Sequence, residues 1–336
     1  MFHGFKNVKN YLMIVFILTF ALNCADGKHE DSKKTMSNTT LSAAPAEAGT
    51  EVQNLDPEAR RRDETPEDYQ LRIAKENNVK KRITKNYLYD LNGNLTEGAI
   101  SEEIEFDKQG RRIEHVVYRG TNQINYIWKF KYDDNDNVVE FESYDRNNVL
   151  QLKKTMTYNN DNKVKDAKEI YITRGNEITY NYTYNDKGLL IRTEGKNSAG
   201  GVSSEEKEYN SDDKVRKIVM VDEASKNTAE RMMEYDSKGN LLKETLKLSN
   251  QPEQVTTYSN YSGFYPGEIV APIRKMVYEY DNRGNVTLDI MYNADGGRQH
   301  KFINDYDEKG LIVKRTRYDG RDNPALIIKY EYEFYK

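Results

Sequence analysis

The sequence predicts an all-β fold: a long antiparallel meander of about twenty strands, built from 26-residue two-strand repeats into a twisted and curled sheet, with one short N-terminal helix. Three observations predict it. An aromatic residue followed by Asp or Asn returns at near-constant spacing, a residue tolerant of positive φ follows at a fixed offset, and the stretches between alternate apolar with polar side chains.

The 336 residues are 37% hydrophobic, enough for a core in one large or two ordinary domains. Mean hydropathy is -0.93. The apolar material is carried by 26 Tyr against one Trp, amphipathic rings that suit half-exposed sheet faces. A formal charge of -4 gives no field that would draw nucleic acid, and Arg60, Arg61 and Arg62 are too short a run to change that.

Residues 1–23 read as an export signal. Lys6 and Lys9 precede an apolar run of 12 residues, Tyr11 to Leu22. That is shorter than the roughly 17–25 needed to span a bilayer. The single cysteine, Cys24, follows at once and resembles the lipid-attachment cysteine of bacterial lipoproteins, although "ALNC" departs from that family's box by placing Ala21 three residues ahead and Asn23 adjacent. The resemblance implies an acylated Cys24 and a membrane partner through that lipid, in the outer membrane or at the cell surface rather than the inner membrane. Removal of residues 1–23 takes two lysines and no carboxylate, leaving -6, and an acylated Cys24 leaves no thiol for disulfides or catalysis.

Residues 24–64 form a flexible tether, with no Phe, Trp or Tyr between Ala25 and Asp68. Residues 65–79 carry a capping helix, expected from Pro66 to about Asn77. Thr65 is its N-cap, Pro66 its first residue, and Glu67 and Asp68 complement the exposed amides and the helix dipole. Its apolar stripe, Tyr69 and Ile73, is narrow, so the helix should cover a sheet end.

Residues 80–336 hold the repeats. Their anchors are Tyr89, Phe106, Tyr132, Tyr158, Tyr184, Tyr209, Tyr235, Tyr280 and Tyr306, spaced mostly by 25 or 26; Tyr261 splits one interval of 45 into 26 and 19, and Tyr332 lies 26 past Tyr306. Next to the anchor stands Asp90, Asp107, Asp133, Asn159, Asn185, Asn210, Asp236, Asp281 or Asp307, whose side-chain oxygen can bond an amide two residues on. Four past the anchor come Gly93, Gly110, Asp136, Asn162, Gly188, Asp213, Gly239, Gly284 and Gly310. This spacing suits a type I turn closed by a left-handed residue in a hairpin bulge. A second turn follows about twelve residues later, as at "YDRNN" from Tyr144 and "YDGRDNP" from Tyr318, so each repeat supplies two strands. In "INYIWKFKY" Ile124, Tyr126, Trp128, Phe130 and Tyr132 share one face. A flat ribbon of that many strands would be roughly 90 Å wide, so the sheet should curl, with closure into a barrel left open and a propeller disfavoured because 26 residues do not supply the four strands of a blade.

Tandem Tyr-Asp-x-x-Gly-Asn-Leu resembles the YD, or Rhs, repeats of bacterial envelope and toxin proteins, over about Tyr87 to the C-terminus. The resemblance implies strand-turn-strand units wound into a large β shell. The period here is longer than that family's usual one, and the repeats run on to "YEYEFYK", so a hollow shell around a cargo segment is not expected.

Catalysis is not expected. "DDNDNVVEFESY" from Asp133 superficially matches a calcium loop but lacks its glycine and has Tyr144 in place of the final glutamate. His29, His115 and His300 lie far apart and without metal-ligand spacing. No metal, cofactor or enzyme activity is therefore read from the chain. The repeat is broken by "TYSNYSGFYPGEIVAP", whose Tyr258, Tyr261, Phe264 and Tyr265 beside Pro266 and Gly267 are the candidate ligand contacts. Edge strands near Ile83 and Tyr330 should be open to an added strand. The function read from these features is a lipid-anchored envelope protein whose β-sheet is a non-catalytic binding or scaffolding module for protein or glycan. The alternative is a toxin-related repeat shell or an immunity-type partner.

Overall fold

In each anchor phrase one short acidic or amide side chain organises the corner. The computed structural model describes residues 60–61, 64–90, 93–120 and 122–336; the signal, Cys24, His29 and most of the tether lie outside the described residues. At Asp133, Oδ1 accepts from the amides of Asn135 and Asn137, both at 2.9 Å, while Oδ2 accepts from the Asn137 side-chain amide at 3.0 Å. Asp236 with Asn240 and Asp281 with Asn285 repeat this arrangement. The asparagine of the phrase is thus a second clasp on the same turn. All nine residues four past an anchor have φ between +55° and +81°, as the corner chemistry demands. Each corner is followed by a bulge: Asp305 faces Lys314, yet Tyr306 faces Ile312.

The anchor tyrosines have a separate task. The Tyr158 hydroxyl donates to the Val138 carbonyl at 2.7 Å, Tyr184 to Val164 at 2.8 Å, Tyr235 to Val215 at 2.7 Å and Tyr332 to Ile312 at 2.8 Å. Each acceptor lies twenty residues back, at the position where the preceding repeat resumes its strand beside a bulge. The ring therefore reaches across one whole hairpin and ties repeat to repeat. Tyr261 does the same to Leu241. Tyr280, displaced by the irregular segment, reaches Pro266 instead.

Twenty strands result, from β1 (Val79–Leu88) and β2 (Ala99–Phe106) to β19 (Ile312–Tyr318) and β20 (Pro324–Phe334). Each pairs antiparallel with its sequence neighbours, and β20 pairs with β1, so the curled sheet closes into an up-and-down barrel. This overturns the expectation of open edges. Ile83 lies opposite Glu331 and Thr84 opposite Tyr330, so the two outermost strands satisfy each other's amides and carbonyls.

The helix α1 (Pro66–Glu76) begins with the expected cap: the Thr65 hydroxyl accepts from the Asp68 amide at 3.1 Å, and the Asp68 carboxylate reaches back to the Thr65 amide. It sits at the barrel end formed by the anchor corners. Gln70 donates to the Gly310 carbonyl at 3.0 Å and accepts from the Ile312 amide at 3.1 Å, while Lys75 pairs with Asp136. Tyr69, Ile73 and Ala74 bury against Val79, Ile104, Phe106 and Leu311. The helix covers this end of the sheet.

Candidate functional site

The face that meets α1 can be followed around the barrel by register. Ile104 on β2 faces His115, which faces Trp128, and the same parity leads round to Asn304, Arg315, Ile328 and, two residues on, Tyr330 and Tyr332, which face Thr84 and Arg82 on β1. This is the inward face. It carries aromatic rings, such as Tyr126 stacked on Trp128 at 4.8 Å and Phe130 tilted on Phe141 at 5.3 Å. It also carries shielded charge pairs: Lys154 with Glu169 at 2.8 Å, Lys207 with Glu205 at 3.0 Å, Arg82 with Glu102 at 3.0 Å and Arg315 with Asp289 at 2.9 Å.

The opposite face carries a lattice of ion pairs. Lys153 bridges Glu140 and Glu142, and Lys168–Glu177, Lys217–Glu230, Lys243–Glu234, Lys275–Glu268 and Lys314–Asp305 repeat the pattern from strand to strand.

Beneath the N-terminal turns of α1 lies a cavity of about 390 Å³, lined by the helix, β1, β2, β16 (Arg274–Tyr280), β17 (Val286–Asn293), β18 (Arg298–Tyr306), β19 and β20. Its charged members are balanced: Arg82 against Glu102, and Arg315 against Asp289. Burial alone would raise the Glu102 carboxyl, but His115, with Nε2 2.9 Å away, and the Arg82 guanidinium hold it down at about 2. Tyr278, Tyr306 and Tyr330 add rings, and burial pushes all three hydroxyls to higher pKa. Tyr69, 1% exposed, is raised to about 12, mainly by burial.

Four buried polar atoms among the residues lining this cavity have no hydrogen-bond partner: Tyr69 Oη, Arg82 Nε, Asn304 Oδ1 and Arg315 Nε. Asn304 spends its amide nitrogen on the Val286 carbonyl at 2.6 Å, which fixes its oxygen as the unpaired atom. The Arg315 guanidinium also lies 3.8 Å from the Phe302 ring centroid.

The residues singled out in the sequence fall elsewhere. In the irregular segment between β14 (Gln254–Ser259) and β15 (Glu268–Ala271), Tyr265 is 2% exposed, stacks on Tyr280 with centroids 5.1 Å apart, and donates to the Arg60 carbonyl. The Arg60 guanidinium covers the same ring, 4.1 Å from its centroid, and the Arg60 amide donates to the Arg283 carbonyl at 2.7 Å. Phe264 packs edge-on to Tyr265 at 4.3 Å, and Tyr258 is half-buried on β14. The loop therefore clasps the chain just before α1. His115 and His300 lie on separate strands, beside Glu102 and Asp289 respectively. The Asp133 carboxylate is engaged by its own corner. Among the described residues no cluster of three or more His, Cys, Asp or Glu side chains could hold a metal ion.

The cavity residues were missed because Arg82, Glu102, Asp289 and Arg315 look like ordinary strand charges in a lysine- and glutamate-rich chain. Parity signals only part of the set: Glu102 stands between Ile100 and Ile104, Asp289 two before Met291 and Arg315 two after Val313, whereas Arg82 has Lys80 and Thr84 at those positions.

Fold and site together define a closed twenty-stranded barrel of tandem hairpin repeats with a helix over one mouth. No family model matches the chain, and no curated protein does. Among solved structures it is similar to the TcdB2-TccC3-Cdc42 complex, at 10% identity and a TM-score of 0.32 over 70% of this chain. It spans only 14% of that much longer chain. It is also similar to a porin-like protein from Bacteroides uniformis, at 13% identity and a TM-score of 0.33, covering 76% of this chain and 98% of the other. A porin-like protein from Bacteroides vulgatus gives 13% identity and a TM-score of 0.28.

Proposed function

We propose that this chain is a lipid-anchored cell-envelope protein whose repeat barrel is a non-catalytic binding or scaffolding module for a protein or glycan, displayed in water at the outer membrane or cell surface. One observation carries this reading, the ion-pair lattice on the outward face. A barrel that crosses a bilayer presents an apolar band outward, and each Lys or Arg at mid-bilayer costs about 2–4 kcal/mol. A wall studded with lysine–glutamate pairs is built to stand in solvent. The cavity and the aromatic inner wall then supply recognition, and Cys24 with the tether supplies attachment.

The test is metabolic labelling with a palmitate analogue followed by membrane fractionation. The native chain should be labelled and sediment with the envelope, leave it on detergent extraction, and lose both label and sedimentation in Cys24→Ala. An unlabelled chain that stays in the bilayer after alkaline or urea washing would instead indicate insertion of the barrel itself.

A further inference from the structure

We infer that one arc of the barrel end remote from α1 docks on an anionic lipid surface; the inference rests on the membrane-anchored part of the reading above and gives the barrel an orientation in it. Most of the large hydrophobic side chains exposed among the described residues lie at this end. Three consecutive hairpin turns form the arc. Ile124 follows the turn between β3 (Arg112–Arg119) and β4 (Gln123–Tyr132), Val149 lies between β5 (Val138–Asp145) and β6 (Leu150–Tyr158), and Ile172 lies between β7 (Val164–Tyr171) and β8 (Asn176–Tyr184). They are 38%, 49% and 46% exposed. Arg119, Arg146 and Arg174 share these turns; all are exposed and, unlike the lysines of the wall, make no ion pair among the described residues. The one carboxylate on the three turns, Asp145, is engaged by the Asn147 and Val149 amides at 2.9 and 3.0 Å. Apolar tips set among unpaired arginines are the pattern that seats a protein on anionic headgroups.

The wall behind the arc sets how deep it can go. On the outward face Val116 is paired with Ile127 and Ile127 with Tyr144, a short apolar row where the ion-pair lattice is interrupted. Tyr118 and Tyr144 turn their hydroxyls to Glu103 and Glu142, so each ring offers an apolar body and a polar tip suited to headgroup depth. The next row holds Lys129 with Glu114 and Lys153 with Glu142, which stop the barrel at its rim. Positive charge ends on both sides of the arc. The β1–β2 turn adds exposed Leu88 and Leu95 but bears Asp90 and Glu97. The turn between β11 (Val215–Asp222) and β12 (Asn227–Tyr235) brings Asp222 and Glu223, and the turn before β14 brings Glu253. Those last two turns expose no large hydrophobic side chain among the described residues, so in a second copy they would offer Ile124, Val149 and Ile172 charge without an apolar counterpart. Attachment at Cys24 keeps a bilayer within reach: a coil as long as residues 25–59 has an r.m.s. span of roughly 30–35 Å, about the length of the ten-residue β4. Contact made through such a linker is intramolecular, which lets a small arc suffice.

The experiment places the acylated chain in vesicles of phosphatidylethanolamine and phosphatidylglycerol that carry a nitroxide-labelled lipid. Cys24 is the only cysteine, so once it is acylated a solvent-sensitive dye goes to a single introduced thiol: Val149→Cys, Ile172→Cys or, outside the arc on the β11–β12 turn, Ala224→Cys. Dyes at positions 149 and 172 should shift to the blue and be quenched by the labelled lipid, and the dye at 224 should do neither. Replacing Arg119, Arg146 or Arg174 by Gln should weaken docking about 5-fold each with the thermal midpoint unchanged, and exchanging phosphatidylglycerol for phosphatidylcholine should release the arc. The inference is overturned if the three dyes behave alike, if quenching is as strong without phosphatidylglycerol, or if the dyes at 149 and 172 shift with protein density but are not quenched by lipid, which would put a second copy on the arc. A chain held by its acylated Cys24 that shows no quenching overturns the docking and leaves the anchor standing. Quenching at 149 and 172 in a chain that cells never acylate, studied as Cys24→Ala, does the reverse.

Discussion

The hydroxyl of Tyr158 donates to the carbonyl of Val138 across 2.7 Å, twenty residues earlier in the chain. Val138 is where the previous repeat resumes its strand, so the anchor of one hairpin fastens the start of another. The phrase Tyr-Asp-x-x-Gly-Asn is thus two devices in one: the Asp, Gly and Asn make the corner, and the Tyr ties corners together.

Tyr158→Phe should cost about 1–2 kcal/mol in urea denaturation, because a buried carbonyl loses its donor while the ring's packing is kept. Tyr144→Phe, whose hydroxyl bonds a Glu142 carboxylate that Lys153 also holds, should cost less than about 0.5 kcal/mol. Equal costs for the two would contradict a special role for the anchors.

Gly284 and Gly93 separate two effects of a corner glycine. Both have positive φ, +77° and +79°, but a Cβ on Gly93 meets nothing within 4 Å whereas one on Gly284 would clash with the hydroxyl edge of the Tyr265 ring. Gly93→Ala should cost about 1 kcal/mol from backbone strain alone. Gly284→Ala should cost about 1–3 kcal/mol more and should release Arg60, read as faster proteolysis near Arg60 and Arg61.

Stability should fall in acid through Glu102. Its folded carboxyl is held at about 2, below the ordinary 4.5, so its contribution is complete above pH 4.5 and is lost as pH falls toward 2. The amount is roughly 2–3 kcal/mol, and Glu102→Gln should flatten that part of the stability profile. An unchanged slope between pH 5 and pH 2 would show that the His115 and Arg82 contacts do not stabilise the charged form.

Much of this fold was legible because its corners are local. Asp133, Asp236 and Asp281 bond amides two and four residues away, and the left-handed position shows as Gly, Asn or Asp in every copy. The capping box at Thr65 and Asp68 is equally local. Curl was legible but whether it closes was left open, since the pairing of Ile83 with Glu331 depends on curl summed over twenty strands, and no neighbouring residue records that sum. The tyrosine ties were hidden for the same reason: they span a hairpin, and alternation alone reads the ring as core. The cavity was hidden deeper still. Arg82 and Glu102 on adjacent strands, and Asp289 and Arg315 on strands one apart, become a site only after the seam and the helix bring them under Tyr69. Of the aromatic loop, Tyr261 holds the Leu241 carbonyl as a repeat tie and Tyr265 holds the Arg60 carbonyl as the clasp on the chain before α1.

The central claim is a closed barrel, and amide hydrogen exchange across β1 and β20 tests it most directly. The seam places every residue from Arg82 to Leu88 opposite a partner between Leu326 and Tyr332, so amides in both strands should exchange as slowly as those in β2 and β19. Fast exchange of alternate amides along one side of β1 and of β20, the mark of two open edges, would contradict it.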